Sequence, residues 1–357
     1  MPEPHIHRRA RLAALVADHA ADAALVTRLV NVRYLTGLDS SNAALLVPAD
    51  GPAVLCTDAR YAGMVRDICP ELECVVERAT AIALAERAAH DGVRRLAFES
   101  HDVTVEAHDR LAEAAPALVP FGHVVEELRR VKDEEEIALL RTACAITDRA
   151  FDAALPLLRP GVTEREIATA LERVMVDLGA DKPAFDSIVA SGPNGAVPHH
   201  HPGDRALAPG DLVTMDFGAR YGGYHADMTR TVAVGRIADW QRDLYDLVWR
   251  AQRAGVDALW PEAETKVVDA AARDVIADAG HGDDFPHGLG HGVGLEIHEA
   301  PLMGYDKTGK LEGRVPVTVE PGVYLDGRGG VRIEDTLVVR RDGPELLTQT
   351  SKELLVV

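Results

Sequence analysis

Four acidic residues and one histidine carry the chemistry this 357-residue sequence can do. Asp216 lies at the end of a β-rich run, LVTMDFG, on one pleat face with Thr214 and opposite Val213, Met215 and Phe217. Asp227 opens a second run, DMTRTVAV, and shares a face with Thr229 and Thr231. Glu320 shares a face with Thr318 in VTVEPGVYL, and Glu334 with Thr336 in VRIEDTLVV. One strand-end acid is usually solvated; four at matched points of β-rich strands place four negative charges together. Burying them is prohibitive unless cations neutralise them, and two divalent ions would do so. A nitrogen donor is available in PHGLGHGVGLEIHEAP, where His291 is wrapped by Gly288, Gly290, Gly292 and Gly294. Glycine there lets backbones approach closely, as tight metal-site loops require. Four carboxylates plus an imidazole suit Mn, Co, Fe or Zn.

Other motifs do not hold together. Asp216-Phe217-Gly218 spells a kinase tripeptide without the glycine-rich phosphate loop or the H-R-D loop that must accompany it. The glycines around His291 do not fit G-x-G-x-x-G, His298-Glu299 lacks the second histidine of H-E-x-x-H, and no G-x-S-x-G turn presents a nucleophilic serine.

The elements that must position the five residues occur twice. A helix capped by Asp133, with Glu136 three residues on, carries Ile137, Leu140, Cys144, Phe151 and Leu155. A second, capped by Thr163 with Glu166, carries Ile167, Leu171, Val174 and Leu178 and stops at Gly179. A long loop leads to the strands of Asp216 and Asp227, joined by a glycine-containing turn. The order then recurs: a helix capped by Asp239, another over Glu264 to Ala279 ended by Gly280, a long loop, and the strands of Glu320 and Glu334. Asp133 to Asp239 is 106 residues, Thr163 to Glu264 is 101, Asp216 to Glu320 is 104 and Asp227 to Glu334 is 107. Such offsets imply a duplicated helix-helix-hairpin unit, two halves about a pseudo-two-fold axis with curved antiparallel strands inside and helices outside.

The length favours two domains. Residues 1–125 alternate β-rich runs (Ala23 to Thr27, Ala43 to Val47, Val54 to Thr57, Leu96 to Glu99) with helix-like stretches (Ile6 to Ala20, Ala79 to His90, Val103 to Ala115). They read as a small α/β domain without a catalytic set. The charged stretch Glu126 to Glu136 reads as a connector, which makes 126–357 the chemical domain. With 47% hydrophobic and 27% charged residues the chain is of ordinary globular composition, neither disordered nor collagen-like. Its 38 Lys and Arg against 57 Asp and Glu, a net charge of −19, argue against nucleic acid or an anionic membrane as partner. The stretch MPEPHIHRRARLAALVADHA has no apolar core of signal-peptide length, and no segment approaches the roughly 18 apolar residues of a membrane span, so a cytoplasmic location is expected. Cys56, Cys69, Cys74 and Cys144 show neither C-x-x-C nor zinc spacing and read as reduced, mostly buried thiols.

MDFG…ADMTRT, GLGHGVGLEIHE, VEPGVY and VRIEDT, in this order, closely resemble the pita-bread-fold metallopeptidases, specifically the branch of Xaa-Pro aminopeptidases (aminopeptidase P) and Xaa-Pro dipeptidases (prolidase). LRRVKDEEEI resembles that branch's interdomain signature, so the resemblance spans the whole chain and implies an α+β protein: a C-terminal pita-bread domain behind a small α/β domain. It implies Asp216, Asp227, His291, Glu320 and Glu334 as ligands of two divalent ions, Mn first, with Co, Zn or Fe as alternatives. Asp227 and Glu334 would bridge, Asp216 would hold one ion, and His291 and Glu320 the other. Two ions about 3.5 Å apart would activate a bridging water and polarise the scissile carbonyl. His199 in SGPNGAVPHHHPGD would donate to the oxyanion, with His200 and His201 as neighbours that could be mistaken for it. His298 would contact substrate, Arg332 would brace the metal carboxylates, and Glu320 or another ligand carboxylate would shuttle a proton to the leaving proline nitrogen.

One departure bears on the subtype. Many dipeptidases of this branch follow HEAP with an arginine that pairs with the dipeptide carboxylate, whereas Leu302 follows Pro301 here. The expected activity is therefore an aminopeptidase that cleaves the Xaa-Pro bond of peptides with proline at the second position; a dipeptidase is the alternative, with Arg314 or Arg328 as substitute anchor. Methionine aminopeptidases generally lack the extra domain, and the intact ligand set argues against a metal-free or non-catalytic relative. A homodimer is expected.

Overall fold

The structure, a computed structural model, describes residues 3–115 and 117–357. Met1 and Pro2, which open the N-terminal stretch read above, and Pro116 lie outside the described residues. The chain divides into two compact units between Arg129 and Arg130, four residues beyond the expected boundary.

The N-terminal unit holds a six-stranded mixed sheet. Its strands are β1 (Ala23–Val26), β2 (Ala43–Pro48), β3 (Val54–Thr57), β4 (Glu73–Val76), β5 (Leu96–Phe98) and β6 (Leu118–Pro120), in the spatial order β4-β3-β2-β1-β5-β6. The helices are α1 (Glu3–Asp18), α2 (Leu29–Thr36), α3 (Ala62–Ile68), α4 (Thr80–His90), α5 (Val105–Ala114) and α6 (Val124–Arg130), the last running across the boundary. Ala23, Leu25, Ala44, Leu46, Val54 and Cys56 face Leu84, Ala88 and Leu111 of α4 and α5. The alternate residues Ala24, Leu45, Val47 and Leu55 are equally buried, so both faces of the sheet are covered. Cys56, Cys69 and Cys144 are buried thiols, and burial raises the pKa of each.

In the second unit the expected helices form where the local chemistry demands them. α7 (Glu134–Ala154) and α8 (Glu164–Asp177) begin with complete capping boxes, Asp133 with Glu136 and Thr163 with Glu166. Gly179 follows α8 at φ 103°, the left-handed conformation that glycine adopts without strain. α9 (Asp239–Asp257) corrects one expectation. Asp239 is its first helical residue and not its cap; the Gln241 side chain accepts from the Ala238 N–H instead. α10 (Thr265–Asp278) completes the repeat, and Gly280 follows it at φ 87°.

The strands are more broken than alternation suggested. β7 (Lys182–Pro183) and β8 (Ile188–Ser191) precede β9 (Leu212–Phe217). Between β9 and β12 (Met228–Ala233) a second small hairpin intervenes, β10 (Ala219–Tyr221) and β11 (Tyr224–His225), where a simple turn was expected. β9 lies between β8 and β12, and the register sets Asp216 opposite Thr229 and Thr214 opposite Thr231. In the second half β13 (Gly290–Gly292) and β14 (Glu299–Met303) precede β15 (Pro316–Val319), β16 (Gly322–Leu325), β17 (Gly329–Arg332), β18 (Asp335–Val338) and β19 (Glu345–Leu346). β15 pairs with β18 and β16 with β17. Each expected long strand of this half is thus cut at its carboxylate, after Val319 and around Glu334; Pro321 has no N–H to continue a ladder. Of the four acids only Asp216 sits within a strand; Asp227, Glu320 and Glu334 lie at strand ends.

Two apolar cores lie behind these strands, one per half. Val213, Met215, Phe217, Met228 and Val232 pack on Phe151, Ile167 and Leu171. Val317, Val319, Ile333 and Leu337 pack on Leu244, Val248, Val268 and Ile276. Burial of each such side chain stabilises the fold by about 1.5–3 kcal/mol, and it turns the opposite, Thr- and acid-bearing faces toward one another. The halves join there. Glu334 N–H donates to Thr229 O, Thr231 Oγ1 donates to Arg332 O, and Thr336 Oγ1 donates to Asp227 O. Among the described residues no helix is long and apolar enough to cross a membrane.

Candidate metal centre

Asp227, His291 and Glu334 offer ligand atoms within 4.8 Å of one another, and all three residues are buried. His291 Nε2 lies 3.5 Å from Asp227 Oδ2 and 3.4 Å from Glu320 Oε1. Asp216 lines the same cavity, of about 470 Å³, with Oδ2 held by Arg332 at 2.6 Å. Asp216 within β9, Asp227, Glu320 and Glu334 at strand ends and His291 on β13 therefore line one cavity.

Several features fix His291. It sits on β13 between Gly290 and Gly292, where an added Cβ would come within 2.1 Å of Thr318 O and 2.3 Å of Ala300 O; only glycine lets the neighbouring strands close on the histidine. Its Nδ1–H donates to Gly292 O at 2.9 Å, which leaves the Nε2 lone pair toward the carboxylates. The loop is tied to α10, where Arg273 donates to Phe285 O and His287 O and Asp269 accepts from the Leu289 N–H.

The donor set fits divalent cations. Burial lowers the His291 pKa to about 4, so at neutral pH its Nε2 faces Asp227 and Glu320 as an uncharged lone-pair donor. Asp216 Oδ1 is buried and has no hydrogen-bond partner. Burial, then the mutual repulsion of Glu334, Asp216 and Glu320, drives the Asp227 pKa far upward; burial, then Glu320 and Asp216, does the same to Glu334. Burial pushes Glu320 to about 8 although Arg332 opposes the shift. Repelling carboxylates, an unpartnered oxygen and an inward-facing imidazole lone pair are what bound dications would satisfy.

The sequence pattern of the family described as metallopeptidase family M24 matches residues 138–341. The chain belongs to that family. Residues 8–131 match the creatinase/prolidase N-terminal domain, and the M24 part has the pita-bread fold. The chain is 36% identical over 348 residues to the Xaa-Pro dipeptidase of Pyrococcus horikoshii, covering 94% of this chain and 95% of the relative. The Xaa-Pro dipeptidase structure from Bacillus anthracis superposes with a TM-score of 0.96 at 37% identity, covering 99% of this chain and all 100% of the other. The X-Pro aminopeptidase structure from Thermotoga maritima superposes at 0.90 and 33% identity, covering 98% and 99%. As an M24 protein the chain is a metallopeptidase.

The remaining predicted residues of this M24 site also reach the cavity. His199 and His298 line it, and His298 packs edge-on to His291 with ring centroids 4.5 Å apart. His200 and His201 line it too, but His200 Nε2–H is committed to Glu164 at 2.8 Å. Arg332 donates to Asp216 Oδ2, Thr229 Oγ1, Tyr324 OH and Pro198 O, and so joins the first-half acid to the second-half strands. Arg314 and Arg328 do not line the cavity. Arg328 stacks over Trp240 at 4.3 Å, and Arg314 ties its backbone to Val339 and Lys132.

Four contributors escaped sequence reasoning. Tyr324, within VEPGVY, accepts from Arg332 at 2.8 Å, and its O–H lies 2.8 Å from His287 Nε2. His287, just outside the glycine run, lines the cavity; burial lowers its pKa to about 4. Glu164, the first residue of α8, accepts from Ser191, Asn194, His200 and the Gly203 N–H and so shapes the His199 loop. Lys307 lines the cavity wall beyond Leu302 and Met303. Only Tyr324 and His287 stand inside motifs quoted above, VEPGVY and PHGLGHGVGLEIHEAP.

Proposed function

We propose that this metallopeptidase is an Xaa-Pro dipeptidase, hydrolysing the amide bond before proline with two divalent cations, Mn²⁺ first among them. The observation that carries the reading is the convergence of Asp216, Asp227, His291, Glu320 and Glu334 on one wall of a cavity of about 470 Å³, a size suited to a small ligand. The proline and dipeptide specificity is drawn from the relatives so named, which align over nearly the whole chain.

In this reading the five residues would hold the ions, which when bound supply Lewis acidity to the scissile carbonyl and the attacking water. His199 and His298 donate to the carbonyl oxygen as it gains charge. A Glu320 carboxylate oxygen takes the proton from water and delivers it to the proline nitrogen as the amide breaks. Arg332 holds Asp216 in place throughout and leaves its own charge unavailable to substrate.

An Xaa-Pro aminopeptidase is the second reading. Leu302, 47% exposed, lines the cavity and holds the sequence position where many dipeptidases of this branch carry an arginine, and the Thermotoga maritima relative is an X-Pro aminopeptidase. Steady-state assays of Xaa-Pro dipeptides against Xaa-Pro-Yaa tripeptides, with metal content measured and chelator added, separate the two. Higher kcat/KM on dipeptides, lost with chelator, is expected. Preference for tripeptides would favour the second reading, and chelator-resistant cleavage would sink both.

A further inference from the structure

The cavity is lined by five carboxylates, those of Asp186, Asp216, Asp227, Glu320 and Glu334, and by two side-chain cations, Arg332 and Lys307. Arg332 is buried and its donors are occupied by Asp216, Thr229, Tyr324 and Pro198. Lys307 is the cation with freedom to meet a ligand. Its backbone is pinned by a turn, the Lys307 N–H donating to Gly304 O at 3.0 Å, so the stem starts from a fixed point just past β14. Its ammonium lies 3.0 Å from Asp306 Oδ2, in a pair whose side chains are 41% and 55% exposed. An ion pair that exposed is worth little, and the ammonium can exchange it for another anion.

A dipeptide brings a cationic amine at one end and a carboxylate at the other. The four clustered acids would be neutralised by the ions they hold, which leaves Asp186 among the lining carboxylates to suit the amine, while the carboxylate needs a positive partner of its own. Neither Leu302, nor Arg314, nor Arg328 supplies one. We propose that Lys307 is the specificity-determining residue that anchors the free carboxylate of the proline residue in an Xaa-Pro dipeptide. This rests on the dipeptidase reading and replaces the arginine fork by a mobile point charge with looser directional demands.

The test compares an Xaa-Pro dipeptide with its Xaa-Pro amide, which differ only in the terminal charge, on metal-loaded full-length enzyme. For Lys307→Met the ratio of kcat/KM for dipeptide to that for amide is expected to fall about tenfold. The loss is carried by KM, and Lys307→Arg restores it. Inhibition by free L-proline weakens by a similar factor relative to L-prolinamide, an equilibrium readout independent of turnover. Lys310→Met, altering an exposed lysine paired with Glu262 and outside the cavity, leaves the ratio unmoved. A wild-type enzyme that cleaves the dipeptide while Lys307→Met leaves the ratio unchanged, or lowers both substrates equally, overturns the role of Lys307 alone. Failure of wild-type enzyme to cleave any Xaa-Pro dipeptide overturns the dipeptidase reading and this anchor with it.

Discussion

Arg332 Nη2 lies 2.6 Å from Asp216 Oδ2, with 3% and 13% of the two side chains exposed, and the contact bridges the two halves of the repeat. Removing the guanidinium strands a buried carboxylate whose other oxygen already lacks a partner. Breaking a buried pair from one side costs about 3–5 kcal/mol. Arg332→Met is therefore expected to lower the unfolding free energy of metal-free protein by that amount, and Mn²⁺ affinity by about 10- to 100-fold. Arg332→Lys keeps the charge without the fork and falls between. Calorimetric metal titration and urea melts check this; unchanged affinity in Arg332→Met would remove the bracing role.

The carboxylate cluster predicts how the protein responds to metal. Ions that bind only the folded state stabilise it by about 2.7 kcal/mol at a hundred times Kd, so adding Mn²⁺ to chelator-treated protein raises Tm. In the double variant Asp227→Asn, Glu334→Gln that rise disappears, and peptidase turnover drops by more than the about hundredfold expected of outer contacts. Differential scanning calorimetry with and without Mn²⁺ decides it. An undiminished rise in the double variant would mean that these two acids do not hold the ions.

What could be read from sequence was local in character. Asp133 with Glu136 and Thr163 with Glu166 cap helices through bonds spanning three residues, and the Thr–acid alternation of residues 227–231 and 318–320 follows from strand geometry. α2 was missed because Arg28 gives it no side-chain cap; the helix is held by tertiary bonds such as Asn31 Nδ2 to Glu99 Oε1, 68 residues apart. β4 was missed because it is an edge strand with a half-exposed pattern and no apolar alternation. The strand breaks at Glu320 and Glu334 depend on how two hairpins meet, which a period-two pattern does not encode. Leu302 in place of an arginine was legible in the sequence, but Lys307 emerges only once the chain has folded along the cavity wall.

Glu164 gives a pH dependence of defined sign. Its carboxylate is buried, which by itself raises the pKa, but the bonds from Ser191, His200 and Asn194 prevail and hold it below the ordinary value. A depressed folded pKa means stability that is fully present above the unfolded value of about 4.3 and lost as pH falls through the folded one. Glu164→Gln keeps the shape, removes the titration and weakens the donors' partner, costing about 1–3 kcal/mol at pH 7. Stability below pH 4 should then depend less steeply on pH than in wild type. Urea melts from pH 3 to 7 measure both curves; parallel curves would show that Glu164 contributes no proton linkage.

Tyr324 links two groups whose roles differ. His287 Nδ1–H is committed to Gly288 O at 2.8 Å, so its Nε2 accepts from Tyr324 O–H, and the same oxygen accepts from Arg332 Nη1. Burial raises the phenol pKa to about 12 against the pull of Arg332, so the hydroxyl stays protonated and the direction of the chain is set. Tyr324→Phe leaves a buried imidazole nitrogen without its donor and frees one Arg332 nitrogen toward Pro198 O at 3.3 Å alone. The cost in stability is about 1–3 kcal/mol. Because the freed guanidinium can shift relative to Asp216, kcat should fall about tenfold while KM stays within about twofold. A loss confined to stability, with kcat intact, would show that Arg332 keeps its place on Asp216 without the tyrosine.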